Sequence, residues 1–315
     1  MKKLLGSALL CAGMILSITA CQKGDIPKPK DGFITVTGES LTGGQLPIVR
    51  AMVYEPMIDD YIEMELETGS GNRVGICIGE KHLSEKVNLS KYDSLKDVVS
   101  RSYYLMYEEN HIEYGLAHGS DDWDLPEMLC EKGSYIQVNK TGNGTFDVEL
   151  SLKSNKGIKA SAMYSGLFLP KAYLYSHSLV LDGKETKITG GSYLGKNNDE
   201  DPYMITLEME DGSSISFVLD GSDTNKTIDL SKLDPLDGSG KQLYYIYYTP
   251  KGGSAITLAY GGSGSTCKLC SPGSTLIIGK SYVNGAVNAS VELILANDEH
   301  RAAISTYGRK LSLLL

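Results

Sequence analysis

Polar and apolar residues alternate with period two along several short segments of this chain. Tyr61-Ile62-Glu63-Met64-Glu65-Leu66-Glu67 alternates before Gly69, and Tyr203 to Glu210 alternates before Asp211-Gly212, a hairpin-turn dipeptide. Phe146 to Leu152 repeats the pattern ahead of Asn155 and Gly157, and Ser290 to Leu295 repeats it ahead of Asn297 and Asp298. Side chains of a strand point alternately to its two faces, so this pattern predicts strands with one face in a core. Val87 to Leu95 reads as one helical turn or an irregular connection, and Leu95 to Arg101 is the only stretch with helical character.

The pattern occurs twice. Val87-Asn88-Leu89-Ser90-Lys91-Tyr92-Asp93-Ser94-Leu95 returns as Ile228-Asp229-Leu230-Ser231-Lys232-Leu233-Asp234-Pro235-Leu236, and Tyr103 to Tyr107 returns as Tyr244 to Tyr248, both 141 residues on. Leu129-Cys130 matches Leu269-Cys270, and Gly133-Ser134 matches Gly273-Ser274. Val148 to Leu150 matches Val291 to Leu293, Tyr164 matches Tyr307, and Thr42-Gly43-Gly44 matches Thr189-Gly190-Gly191. Matches that keep their order imply two copies of one module, at a period far beyond the roughly 20–50 residues of a solenoid. The expected fold is all-β: two tandem β-sandwich modules of seven or eight strands each, over 33–170 and 171–315. The first opens with Phe33 to Val36, and the second with Tyr173-Leu174-Tyr175 and Ser178 to Leu181.

Composition agrees. The 35 glycines suit many turns, and 20 tyrosines against 4 phenylalanines suit strands whose rings are half buried with the hydroxyl reaching water.

The first residues follow a different rule. Lys2 and Lys3 precede an apolar run from Leu4 to Ile18, short for a membrane span. Ile18-Thr19-Ala20-Cys21 then has the form of a bacterial lipobox, which makes 1–20 a signal peptide and Cys21 an acylated first residue. Two or three acyl chains, at about 0.8 kcal/mol per buried methylene, anchor such a protein stably to a membrane. Gln22 in place of aspartate points to the outer membrane. The tether 21–32 alternates proline and lysine and extends at about 3.1 Å per residue, enough to hold the modules roughly 30 Å from the lipid. Removing Lys2 and Lys3 from the 30 basic residues leaves 28 against 39 acidic ones, a net charge of −11. That balance argues against nucleic acid as a partner.

Catalytic motifs are absent from the sequence. The histidines His82, His111, His118, His177 and His300 show no zinc-hydrolase spacing, and neither a Gly-x-Ser-x-Gly elbow nor a P-loop occurs. No catalytic residue, metal site or cofactor is expected, although a hydrolase with a dispersed site stays open. Cys267-Lys268-Leu269-Cys270 reads as a loop disulfide or a pair of free thiols, because a redox C-x-x-C needs a helix N-terminus. Cys77 and Cys130 either bridge or stay buried thiols. Acidic loops at 121–124, 197–201 and 220–225 lack the ligand spacing of an EF-hand and read as solvated.

The tyrosine strands stand out. Tyr103, Leu105 and Tyr107 share one face opposite Tyr104 and Met106, and Tyr244, Ile246 and Tyr248 share one face opposite Tyr245 and Tyr247. One face meets the core, so the other presents rings outward or to the neighbouring module. Tyr104, Tyr245 and Tyr247, with Trp123, are the expected ligand-contacting residues by stacking on sugar rings. The alternative is that tyrosine is simply a favoured strand residue.

Lipobox, acidic mature chain and Gly/Tyr-rich duplicated modules together resemble the lipoproteins of Bacteroidota. The resemblance implies surface exposure and glycan capture, or a place in fimbria-like assemblies. Lys23-Gly24-Asp25 is similar to the surface-export signal of that group, and Asp93-Ser94-Leu95 is similar to its O-glycosylation site, with glycan on Ser94. The expectation is a lipid-anchored, non-catalytic envelope protein binding a glycan or a protein partner. The alternative is a fimbrillin-like subunit in which a sheet edge accepts a partner's strand.

Overall fold

The computed structural model describes residues 30–41, 43–55, 61–90, 103–119, 128–195, 201–232, 244–261, 267–283 and 286–313. Apart from two single 3-10 turns, the regular structure there is entirely strand. The first module holds β1 (Phe33–Thr37), β2 (Gln45–Tyr54), β3 (Tyr61–Thr68), β4 (Arg73–Gly79), β5 (Lys86–Asn88), β6 (Tyr103–Glu109), β7 (Ile112–His118), β8 (Tyr135–Gly142), β9 (Thr145–Lys153), β10 (Lys159–Leu167) and β11 (Leu169–Lys171). The second holds β12 (Ser178–Leu181), β13 (Lys184–Leu194), β14 (Tyr203–Met209), β15 (Ser214–Leu219), β16 (Thr227–Asp229), β17 (Tyr245–Thr249), β18 (Ile256–Tyr260), β19 (Thr275–Val283), β20 (Ala286–Ala296) and β21 (Arg301–Leu313).

The spatial orders are β5-β8-β9-β10-β1-β2-β3-β4-β6-β7 and β16-β19-β20-β21-β12-β13-β14-β15-β17-β18, the same path twice. Bulges repeat as well. The β2–β3 register slips between Ile48 and Arg50, and the β13–β14 register slips between Ile188 and Gly190. Another slip separates Leu105 from Met106 and, in the second copy, Ile246 from Tyr247. The first of these slips makes each sheet a sandwich. The start of β2 pairs with β1 and its end with β3, so one strand turns the corner between two layers at Val49. A short segment then bridges the open sides: His118 and Met128 exchange backbone hydrogen bonds, and Cys130 N–H donates to the Leu89 carbonyl. Tyr260 with Lys268, and Cys270 with Leu230, do the same in the second module.

Each sandwich encloses its own core. Leu66, Val74, Leu105 and Leu150 are fully buried in the first, and Leu207, Ile215, Ile246 and Leu293 in the second. At about 1.5–3 kcal/mol for each large apolar side chain removed from water, these clusters dominate folding.

Five expectations change. Each module has at least ten strands, because short edge strands such as β5 and β16 leave almost no periodic signal. Val87 and Asn88 lie in β5 rather than a helical turn, since they pair with Ile136 and Tyr135. Tyr173-Leu174-Tyr175 is a turn, not a strand: Tyr175 lies at φ 58°. Two sequence matches are also displaced. The bulges equate Val49 with Thr189, so Gly190 and Gly191 correspond to Arg50 and Ala51 rather than Gly43 and Gly44. Tyr164 pairs with Val148 as Thr306 pairs with Val291, which leaves Tyr307 one residue out of step. The helical stretch expected at Leu95 to Arg101 lies outside the described residues.

The first sheet's pairing runs to Lys171, where β11 lies parallel to the end of β2. There the two modules join. Met52 and Leu169 pack against Ile294 and Ala296 in a small shared core. Glu55 of the first module meets Arg301 of the second at 2.9 Å, and a cavity of about 270 Å³ beside them is lined by Tyr54, Lys140, Phe146, Asp182 and Arg301.

Candidate functional site

In both modules the inner rings of the tyrosine strands go into the cores: Tyr103, Leu105 and Tyr107 in one, Tyr244 and Ile246 in the other, with Tyr248 half-buried against it. Tyr103 Oη donates to the Leu89 carbonyl at 3.4 Å, and Tyr244 Oη donates to the Leu230 carbonyl at 3.1 Å. Glycine makes room for these rings. A Cβ on Gly119 would lie 2.5 Å from the Tyr103 ring, and one on Gly261 would lie 2.2 Å from the Tyr244 ring.

The opposite faces point outward and have diverged. In the second module Tyr245 and Tyr247 stand two residues apart on one strand, so their rings share a face with centroids 5.1 Å apart. Tyr260 lies opposite Tyr245 in the register and meets it edge-on at 5.6 Å. Hydroxyls are held at the rim: Tyr245 Oη is 2.9 Å from Thr257 Oγ1, and Tyr247 Oη is 3.2 Å from Met204 Sδ. The result is a half-buried aromatic patch of three rings, bordered by Lys268, whose Nζ donates to the Thr257 carbonyl at 2.8 Å and pairs with Glu299.

The equivalent face of the first module is charged. Tyr104 corresponds to Tyr245 and meets His118 edge-on at 6.0 Å, but Met106 stands in place of Tyr247. Glu63 and Glu65 occupy the places of Met204 and Thr206. A groove of about 230 Å³ runs between Tyr54, Glu63, Glu65, Cys77, Tyr104 and Met106. Glu65 accepts from Tyr54 Oη at 2.8 Å and from Lys171 at 2.8 Å, and pairs with Arg73 at 3.1 Å. Burial pushes its carboxyl up, but Lys171, Tyr54 and Arg73 outweigh that and hold it below the usual range. Glu63 moves the other way: burial raises it, and the hydrogen bond from Tyr173 only partly offsets this. Tyr173 also lies against Tyr54, centroids 4.8 Å apart, so the joint between the modules packs along one side of the groove. Glu65 is committed to three donors, whereas Glu63 accepts from Tyr173.

The remaining expected residues divide by position. Cys21, Ser94 and Trp123 lie outside the described residues. Cys77, Cys130, Cys267 and Cys270 are all free thiols, so neither the Cys267–Cys270 bridge nor a Cys77–Cys130 bridge is formed. Cys77 points to the outer face beside Tyr104 while Cys130 points into the core, where its Sγ contacts the Leu116 carbonyl at 3.6 Å. Asp220 accepts from Ser222 N–H at 3.0 Å and caps a 3-10 turn, which uses its carboxylate locally. Among the described residues no group of three His, Cys, Asp or Glu is placed to hold a metal ion.

Sequence reasoning passed over Tyr260, Glu63, Glu65, Tyr54 and Tyr173. The first three were within reach: Tyr260 and His118 align across the repeat, and Glu63 and Glu65 are the outward members of an alternating strand. Comparison with protein-family models, curated proteins and solved structures finds no match.

Proposed function

We propose that this protein is a lipid-anchored binding protein of the outer membrane whose second module holds a neutral glycan. The observation that carries the reading is the cluster of Tyr245, Tyr247 and Tyr260 on an outward sheet face. Pyranose rings expose C–H groups on one face and hydroxyls at their edges. A tyrosine patch with hydroxyls at its rim complements both, and rigid rings lose little conformational freedom on binding. The lipobox at Cys21 and the extended tether support an anchored protein whose modules stand clear of the lipid. A strongly acidic chain disfavours anionic partners, which fits a neutral ligand.

The test is calorimetric titration of the full-length lipoprotein in detergent micelles with neutral cello-, manno- and chito-oligosaccharides. Binding by at least one series, weakened tenfold or more by Tyr247→Ala with the melting temperature kept, is the expected result. Absence of heat with every series would overturn the reading.

A further inference from the structure

The most exposed aromatic pair in the described residues lies elsewhere, on the opposite layer of the second module. Tyr175 is 63 % exposed and Tyr307 70 % exposed, with ring centroids 6.1 Å apart and planes at 78°. Leu174, 70 % exposed, stands beside them in the chain. Solvent exposure of three large apolar side chains together is unusual enough to ask what holds them there.

Two backbone devices do. The first is the turn after the joint, where Tyr175 and His177 both adopt left-handed conformations, φ 58° and 53°. Bulky side chains avoid that region, and when they occupy it the surroundings must enforce it. Here Tyr175 N–H donates to Ser305 Oγ at 3.3 Å, His177 N–H donates to the Ser305 carbonyl at 3.2 Å, and His177 Nδ1 lies 2.8 Å from Thr306 Oγ1. The second device is a bulge. The β20–β21 register slips between Ala289 and Val291, placing Tyr307 and left-handed Gly308 opposite Ser290, whose Oγ accepts from Gly308 N–H at 3.2 Å. The first module lacks this slip: β9 and β10 pair without interruption, and Tyr164 packs half-buried against Phe168 at 5.3 Å. The extra residue in β21 thus puts a ring into solvent on a strand whose counterpart keeps its tyrosine packed.

We propose that Tyr175 and Tyr307 form a second saccharide-stacking site. It rests on the glycan-binding reading and adds a location and geometry to it. Two near-perpendicular rings make a corner in which one sugar ring lies flat on one tyrosine and abuts the other. Two partly exposed serines flank the corner, each accepting a backbone N–H: Ser305 from Tyr175 and Ser290 from Gly308.

The test uses the same full-length protein in micelles and whichever of the three oligosaccharide series binds it. Tyr175→Ala and Tyr307→Ala are each expected to weaken one class of sites tenfold or more and to lower the stoichiometry from two to one. Tyr307→Phe, which keeps the ring, is expected to stay within threefold of the parent. Unchanged stoichiometry and affinity in both alanine variants overturns this site, and if Tyr247→Ala then abolishes binding the glycan reading itself stands. If no series binds the parent protein, both fall together.

Discussion

Arg301 opens the last strand of the second module, yet its guanidinium is spent on the first: Nη2 donates to Glu55 Oε1 at 2.9 Å across 246 residues of chain. The arginine side chain is only 5 % exposed and the glutamate 17 %. Removing one member of so buried a pair strands the other charge, at a cost of about 3–5 kcal/mol. Arg301→Ala is therefore expected to lower stability by that order, read by urea denaturation. Replacing both residues with methionine is expected to recover most of the loss, because hydrophobic packing then substitutes for the pair. A change below about 1 kcal/mol in the single variant would mean that water screens this contact.

Gly144 is the surface against which that guanidinium lies. It has φ 68°, and a Cβ there would fall 2.0 Å from Arg301 Nη1. Gly157 is also left-handed, at φ 84°, but faces open space. Alanine at Gly157 is expected to cost about 1 kcal/mol from backbone strain alone. Alanine at Gly144 must cost more, since it also displaces the arginine. Equal melting temperatures for the two variants would show that the joint yields freely.

The two groove carboxylates give opposite pH signatures. Glu65 sits below its ordinary value of 4.5 in the folded protein, so its contribution is present above that pH and is lost as pH falls through the folded value. Glu63 sits above 4.5, so its favourable contribution belongs to the neutral form: it is fully present below 4.5 and lost as pH rises through the folded value. Glu63→Gln is expected to stabilise the protein at pH 7, and Glu65→Gln to destabilise it there and flatten the acid limb. Melting curves from pH 3 to 8 check both signs.

Thiol chemistry should single out one cysteine of the two modules. Burial pushes Cys77, Cys130 and Cys270 each up to about 12, whereas Cys267 is partly exposed. Iodoacetamide at pH 8 is expected to modify Cys267 in the folded protein, and all four in urea without reductant. Peptide mass spectrometry reads the outcome, and a protected Cys267–Cys270 pair in urea would reveal a disulfide in the cell-derived protein.

The layout of strands was legible because alternation is strict wherever one face is buried and the other wet, as in Tyr61 to Glu67. The duplication was legible for a related reason: Tyr103 and Tyr244, or Ser134 and Ser274, make the same buried hydrogen bonds in each copy, and little else fits there. Ser134 Oγ accepts from Lys153 N–H at 3.1 Å, and Ser274 Oγ accepts from Ala296 N–H at 3.2 Å. What the sequence concealed depends on one-residue offsets. The extra residue in β21 breaks the Tyr164–Tyr307 match and places Tyr307 in solvent, and no periodicity announces it. The left-handed backbone at Tyr175 is equally silent, because neighbouring strands impose it against the residue's own preference. The groove glutamates were visible as outward residues, but Lys171, which lowers one of them, lies 106 residues away.

The joint between the modules also sets how this architecture can grow. Ser192 and Ser312 occupy the second module's places for Met52 and Leu169, and Gly195 takes that of Glu55. On the receiving side, Ser151 and Lys153 of the first module stand where the second has Ile294 and Ala296. Another unit docking by the same rotation would find no apolar pair at either end, and no acid at the second module's end. Divergence after duplication has given the tandem two unlike ends, neither carrying the apolar pair of the joint, so the contacts that hold these two modules together do not by themselves extend to a third.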